Sequence, residues 1–240
     1  MRKHSLITFV ITLLFLHFSN FAFAQWENLE KKDITYNGAV TFGLIHSVNL
    51  TTISGDFPSF SSTNRETETK KRAPRLTLDI GLTGNYYINN KVSLQMDLVY
   101  TYMGAHLTST TDIYNEVGVI ETNDYYTYAM DYIKLPLSVN IYPKEKLYVN
   151  LGGYVATNLS NSLYKFFHSD TYHVEEIESI GSVNSLDYGL LFGVGFDTKI
   201  VRLGFQYTYG LSQFNSEEAY SLHNNVFQIV ARWNFFSDLK

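Results

Sequence analysis

Leu186-Asp187-Tyr188-Gly189-Leu190-Leu191-Phe192-Gly193-Val194-Gly195-Phe196-Asp197 alternates along its whole length. Leu186, Tyr188, Leu190, Phe192, Val194 and Phe196 are all large and apolar, whereas the intervening residues are Asp, Gly or, once, Leu. Successive side chains of a strand point to opposite faces. This strand therefore has one greasy face and one small or polar face. Lipid on one side and a narrow polar lumen on the other produce that pattern.

The same alternation recurs on both sides of this segment. A first strand is predicted over Tyr36–Leu50, with Val40, Phe42, Leu44 and Val48 on the apolar face, and His46 as an imperfection among them. A second spans Arg75–Ile88 and a third Val92–Leu107, joined by the turn Asn89-Asn90-Lys91. The fourth covers Tyr126–Tyr142. Ile133, Leu135, Leu137, Val139 and Ile141 face outward there, and Tyr132, Lys134, Pro136, Ser138 and Asn140 inward. Pro136 cannot donate to a ladder, so a bulge or a locally unpaired position is expected. Pro143-Lys144-Glu145-Lys146 leads to a fifth strand, Leu147–Ser162. Leu186–Asp197 is the sixth, Val201–Gln213 the seventh and Asn224–Phe236 the eighth.

The connections alternate too. Residues 89–91, 143–146 and 199–200 are short; residues 51–74, 108–125, 163–183 and 214–223 are long and polar. Short periplasmic turns and long extracellular loops distinguish outer-membrane barrels, and an even strand number returns both termini to the periplasm. The predicted fold is all-β: an eight-stranded antiparallel transmembrane β-barrel in a bacterial outer membrane.

The start of the chain reads as a signal peptide, residues 1–24. Arg2, Lys3 and His4 precede the apolar run Leu6–Phe18, and Ala22-Phe23-Ala24 fits a cleavage site. The run is short for a spanning helix, which needs about 20 apolar residues. Residues 25–35 are a periplasmic lead, 36–236 the barrel and 237–240 a C-terminal tail. Removing Arg2 and Lys3 takes the formal charge from −5 to −7, because residues 1–24 contain no acid. Such a chain is a poor nucleic-acid binder. It has no cysteine, hence no disulfide. No later apolar run is long enough for a membrane helix, so a membrane location requires a closed barrel.

The matching stretches resemble a known group. Tyr132-Ile133-Lys134-Leu135-Pro136-Leu137, Leu186-Asp187-Tyr188-Gly189-Leu190 with Gly193-Val194-Gly195, and Ile229-Val230-Ala231-Arg232-Trp233-Asn234-Phe235-Phe236 are similar to the Bacteroidetes outer-membrane β-barrel family, the PorT-like or porin-family small barrels. The resemblance implies the barrel and the membrane. It also implies a role as an accessory to secretion, since members named PorT take part in a secretion and gliding system.

Asp79, Asp97, Lys134, Asp187, Asp197, Arg202 and Arg232 fall on inward faces. An eight-stranded lumen is just wide enough for side chains to fill it. Charges in so narrow a space must be paired and hydrogen-bonded. We expect a structural charge network that plugs the lumen rather than a selectivity constriction in a pore. Tyr86, Tyr87, Tyr142, Tyr148, Trp233 and Phe235 lie near the turn ends, and Tyr100, Tyr102, Tyr126, Tyr128, Tyr207 and Tyr209 toward the loop ends. They are expected to form two aromatic girdles.

Catalytic signatures are missing. No cysteine, Gly-x-Ser-x-Gly elbow or His-Glu-x-x-His motif occurs. His106, His168, His173 and His223 fall in or near loops without the spacing of a triad. His168 and His173 lie near Asp170, Glu175, Glu176 and Glu178, which reads as a solvated acidic loop rather than a metal site. Lys70-Lys71-Arg72 reads as a solvated basic run beside Glu66 and Glu68 rather than as a site for lipid phosphates. The expectation is a non-enzymatic barrel with no cofactor and no metal. Its expected partners are outer-membrane lipids including lipopolysaccharide, the barrel-assembly machinery that reads Phe235-Phe236, and secretion-system or surface proteins. A narrow solute channel and a lipid- or peptide-modifying enzyme are the competing readings.

Overall fold

The computed structural model describes residues 37–55, 66–115, 118–167, 173–177, 184–198, 200–213 and 221–237. The predicted signal peptide and periplasmic lead, with His168, Asp170 and Glu178, lie outside the described residues. Among the described residues, nine strands form one sheet: β1 Val40–Gly55, β2 Glu66–Asn89, β3 Val92–Asn115, β4 Gly118–Lys144, β5 Leu147–Phe167, β6 His173–Ile177, β7 Leu186–Asp197, β8 Val201–Gly210 and β9 Leu222–Ser237. Every pairing is antiparallel. β1 pairs with both β2 and β9, and β4 pairs with β5, so eight strands close into a ring from which β6 is left out. Closure satisfies the backbone in lipid and removes the sheet's edges at membrane depth.

Three tight turns close one end. Asn89 Oδ1 accepts from the backbone N–H of Lys91 and Val92 at 2.8 and 3.0 Å, which folds the β2–β3 turn around one side chain. Lys144 pairs with Leu147 across the β4–β5 turn, and Lys146 there adopts φ 70°. Thr198 Oγ1 donates to the Val201 carbonyl at 2.7 Å in the β7–β8 turn.

Alternation persists as drawn from the sequence. Phe42, Leu44, Leu76, Ile80, Leu82, Leu94, Met96, Leu98, Leu190, Phe192, Val194, Leu203, Phe205 and Ile229 are exposed on the outer face. Their lumen-facing neighbours are buried or, at Gly81, Gly193 and Gly195, half-buried. The β3–β4 register passes from Met96↔Leu137 to Val99↔Lys134, skipping Pro136 and Leu135, while Pro136 stays paired with Tyr154 of β5. The missing proline N–H interrupts one ladder without shifting it.

The long connections differ from the sequence reading. β2 begins at Glu66 rather than Arg75, β3 and β4 run on to Asn115 and from Gly118, and β5 reaches Phe167. Most of residues 51–74 and 108–125 are therefore strand, as are 163–167 and 173–177 of the third connection. A spanning strand needs about 9–11 residues, so the 24 to 27 residues of β2, β3 and β4 extend far beyond the lipid. β7, β8 and β9 end near Leu186, Gly210 and Leu222. The rim is low on that side, and β2–β6 rise as a tall sheet on the other.

β2 also carries a bulge. Its register with β3 changes between Pro74↔Ala105 and Asp79↔Thr101, leaving four residues opposite three. One extra residue reverses the parity above it. Below the bulge Thr77 and Asp79 face the lumen; above it Arg72 pairs with buried Leu107, and Ala73 with exposed His106. Behind the bulge β1 reaches β3 directly, where Thr51 Oγ1 donates to the Gly104 carbonyl at 2.7 Å.

Candidate functional site

The lumen is filled in layers. Nearest the turns, Asp197 Oδ2 lies 3.1 Å from Arg202 Nε and accepts from the hydroxyls of Tyr87 and Tyr142 at 2.9 and 2.6 Å. Arg202 extends this layer by donating to Gln95 Oε1 at 2.7 Å and to the Tyr87 hydroxyl at 2.9 Å. Above it Arg232 Nη2 donates to Asp97 Oδ2 at 2.8 Å, and Thr83 and Gln95 give Asp97 two more donors. Arg202 and Arg232 sit directly opposite each other on β8 and β9. Like charges in that position repel, and each is answered by its own aspartate.

Among the described residues the next layer has no ion pair of its own. Asp79 accepts from Asn49 Nδ2 at 2.5 Å and Gln228 Nε2 at 2.8 Å. Lys134 is 2 % exposed, bonds Thr208 Oγ1 at 3.4 Å and lies 4.1 Å from the centroid of the Tyr154 ring. Asp187 accepts from Ser212 Oγ at 2.5 Å and Asn224 Nδ2 at 2.9 Å. Amide ladders join the layers: Asn150 Nδ2 donates to Asn140 Oδ1 at 2.6 Å, and Asn140 Nδ2 to Ser93 Oγ at 3.0 Å. All seven inward charges are thus buried and engaged with protein groups. Interactions of this kind hold these side chains in place.

A second seal was not foreseen. Ile53, Met103, Leu107, Tyr126, Tyr128, Met130, Tyr132, Leu222 and Val226 form a buried apolar cluster at the extracellular end of the lumen. Its signal was present in the pattern, since Met103, Ala105 and Leu107 continue the inward parity of β3, and Tyr126, Tyr128 and Met130 that of β4. The lumen is therefore packed with charge and amide networks toward the periplasm and with an apolar cluster toward the outside.

The girdle needs correcting. Tyr148 is 2 % exposed, and the Tyr142 hydroxyl bonds Asp197 within the lumen. Tyr87, Tyr126 and Tyr128 are likewise buried. Parity gives the reason: Tyr142 shares a face with Asn140, and Tyr148 with Asn150, so neither side chain reaches lipid. Tyr86, Tyr100 and Tyr209 are exposed on the outer face, and Tyr102, Tyr207 and Trp233 are half-buried there. Tyr207 packs against Phe227 with ring centroids 4.7 Å apart.

Tyr148 fits only because its neighbours lack side chains. A Cβ on Gly204 would lie 2.5 Å from the Tyr148 hydroxyl, which is buried and bonds nothing among the described residues. Tyr148→Phe is expected to leave stability unchanged or raise it by about 1 kcal/mol, because no hydrogen bond is lost and a buried polar atom is removed. Gly204→Ala is expected to destabilise by about 1–3 kcal/mol through overpacking, and Tyr148→Phe to recover part of that loss. Urea unfolding of the four proteins in lipid vesicles checks both; equal penalties for Gly204→Ala in the two backgrounds would contradict the packing.

His173, Glu175 and Glu176 fall on β6. His106 is exposed on the outer face of β3 and its Nδ1 lies 2.9 Å from Thr127 Oγ1. His223 bonds Ser221 and the Ser212 carbonyl at the low rim, both at 2.9 Å.

The chain is similar to several solved outer-membrane proteins. Neisserial surface protein A (NspA) is 13% identical, with 83% of this chain and 100% of that one covered and a TM-score of 0.46. The attachment invasion locus protein Ail of Yersinia pestis, solved with the heparin analogue sucrose octasulfate, is 13% identical with 83% and 99% covered and a TM-score of 0.39. OprG from Pseudomonas aeruginosa is 12% identical with 83% and 96% covered and a TM-score of 0.39. No curated protein matches the chain in sequence. Residues 23–216 match the family described as outer membrane protein beta-barrel domain, so this closed ring of eight lipid-facing strands belongs to that family and resides in the bacterial outer membrane.

Proposed function

We propose that this barrel is a non-enzymatic anchor that presents a surface to partners and does not transport solutes. The observation that carries the reading is the contrast between a lumen packed with buried side chains at both ends and the strands β2–β6, which rise well past the lipid. A pore has no use for a filled lumen, and a purely structural plug has no use for strands this tall. Extended hairpins on a rigid scaffold are a common place for recognition. Within this reading the finer role is that of a PorT-like accessory to secretion, as the sequence resemblance implies. The partners are then secretion-system or surface proteins meeting the tall sheet.

Shortening the β3–β4 hairpin tests this. Ser109 pairs with Asp124, so a two-residue turn placed there removes the tip and keeps the barrel. Cross-linking in intact cells is expected to recover secretion components with the full chain and to lose them with the shortened one. Equal recovery from both would overturn the role of the tall sheet. Secretion that is unchanged when the protein is deleted would overturn the secretion role.

A further inference from the structure

The bulge in β2 builds a cationic cluster on the outside of the barrel. Arg75 sits at the bulge, and its guanidinium leaves the wall to lie across β3. It stacks 4.3 Å from the centroid of Tyr102, donates to the Tyr102 hydroxyl at 3.0 Å and reaches the Tyr128 carbonyl of β4 at 3.2 Å. Tyr102 has the parity of Leu98 and Tyr100, which face lipid, so Arg75 lies on the outer face. No carboxylate pairs with it among the described residues.

Above the bulge the reversed parity brings Lys71 to the same face. Lys71 is exposed and pairs with Thr108, and Ala73 pairs with His106. Burial and the nearby charge of Arg75 hold the His106 imidazole below its usual pKa. The facing acid is Asp131, opposite Tyr102 on β4, whose carboxylate is held by the hydroxyls of Ser160 and Tyr100.

Position indicates the ligand. Leu76, next to Arg75, is 67% exposed, and Leu78, Ile80 and Tyr100 continue the lipid-facing surface below it. The cluster thus stands at the level where acyl chains give way to headgroups. Lys71 and Arg75 are four residues apart, about 13 Å along a strand. That span suits two anionic groups on one headgroup better than a single small anion. Arg75 is already fixed by Tyr102 and Tyr128, so little freedom is lost when it binds.

We infer that Lys71, His106 and Arg75 form a binding site for the phosphates of an outer-leaflet glycolipid, on the outer wall at the β2–β3 seam. Arg75 supplies a fixed planar donor at the interface, Lys71 a second charge further out, and His106 a donor between them.

The test is a titration of His106 by NMR, with the full chain in phosphatidylcholine bicelles. The additions are bis-phosphorylated lipid A, dephosphorylated lipid A, or inorganic phosphate. Phosphorylated lipid A is expected to raise the His106 pKa by about half a unit or more, because a nearby anion favours the imidazolium. Dephosphorylated lipid A and inorganic phosphate are expected to leave it unmoved. Arg75→Gln with Lys71→Gln is expected to abolish the shift, and Lys71→Gln alone, at an exposed position that does not endanger folding, to weaken apparent affinity about threefold or more. A shift of the same size with dephosphorylated lipid A, or in the double variant, overturns the site. So does an equal shift with inorganic phosphate, which makes the ligand a free anion, and so does no shift with phosphorylated lipid A.

Discussion

Asp97→Ala is expected to lower the stability of the barrel by about 3–5 kcal/mol, because it strands a buried guanidinium. Arg232 is 1% exposed, and Asp97 is the acid within its reach at 2.8 Å. Thr83 and Gln95 also lose their acceptor when the carboxylate goes. Opposite Arg232 stands Arg202, so a stranded charge faces a like charge rather than water. The double replacement Asp97→Leu with Arg232→Leu is expected to recover most of the loss, since removing both charges leaves neither unpaired. Urea unfolding in lipid vesicles supplies the double-mutant cycle. A cost below about 1 kcal/mol for Asp97→Ala would mean that the pair is hydrated and the lumen open.

Tyr132→Ala carries the second large effect, about 3–5 kcal/mol by analogy with other buried aromatic truncations. Tyr132 is 0% exposed and joins the two seals. Its ring belongs to the apolar cap with Met130, Tyr154 and Ala156, and its hydroxyl accepts from Asn224, which also binds Asp187. Truncation leaves a cavity between Met-rich packing and a charged layer. Tyr132→Phe keeps the ring and removes contacts of 3.4 and 3.5 Å, so about 1 kcal/mol or less is expected. Similar losses in the two variants would place the contribution in the hydroxyl and contradict the packing account.

Parity made the barrel readable. Each lipid-facing residue in segments such as Leu76–Tyr86 or Leu186–Asp197 has a neighbour that must face the lumen, so Asp79, Asp97, Lys134, Asp187, Asp197, Arg202 and Arg232 could be placed before any coordinates. The same rule should have removed Tyr142 and Tyr148 from the girdle. Residue type and nearness to a turn suggest a girdle position for them, and those cues do not distinguish the faces of a strand. Residue type also hid the apolar cap. Tyrosine and methionine near the strand ends suggest an interface with lipid, whereas alternation sends Met103, Tyr128 and Met130 inward.

The height of the strands was not legible for a different reason. Beyond the lipid both faces of a strand meet water or polar neighbours. Residues such as Thr108-Ser109-Thr110-Thr111 then show no alternation although they are paired. The β2 bulge was equally hidden, because it depends on which residues of β2 and β3 oppose each other. Pro74 marks its start but does not determine its size. The cationic cluster depends on that bulge, since the change of parity is what puts Lys71 on the same face as His106 and turns Arg75 outward.

The closed lumen is the claim on which the functional reading rests, and planar-bilayer conductance of the reconstituted full chain tests it most directly. A lumen filled by Asp97–Arg232, Asp197–Arg202 and the Tyr128–Met130–Tyr132 cap is expected to give no stable unitary current. A large, reproducible open state from the wild-type protein would contradict it.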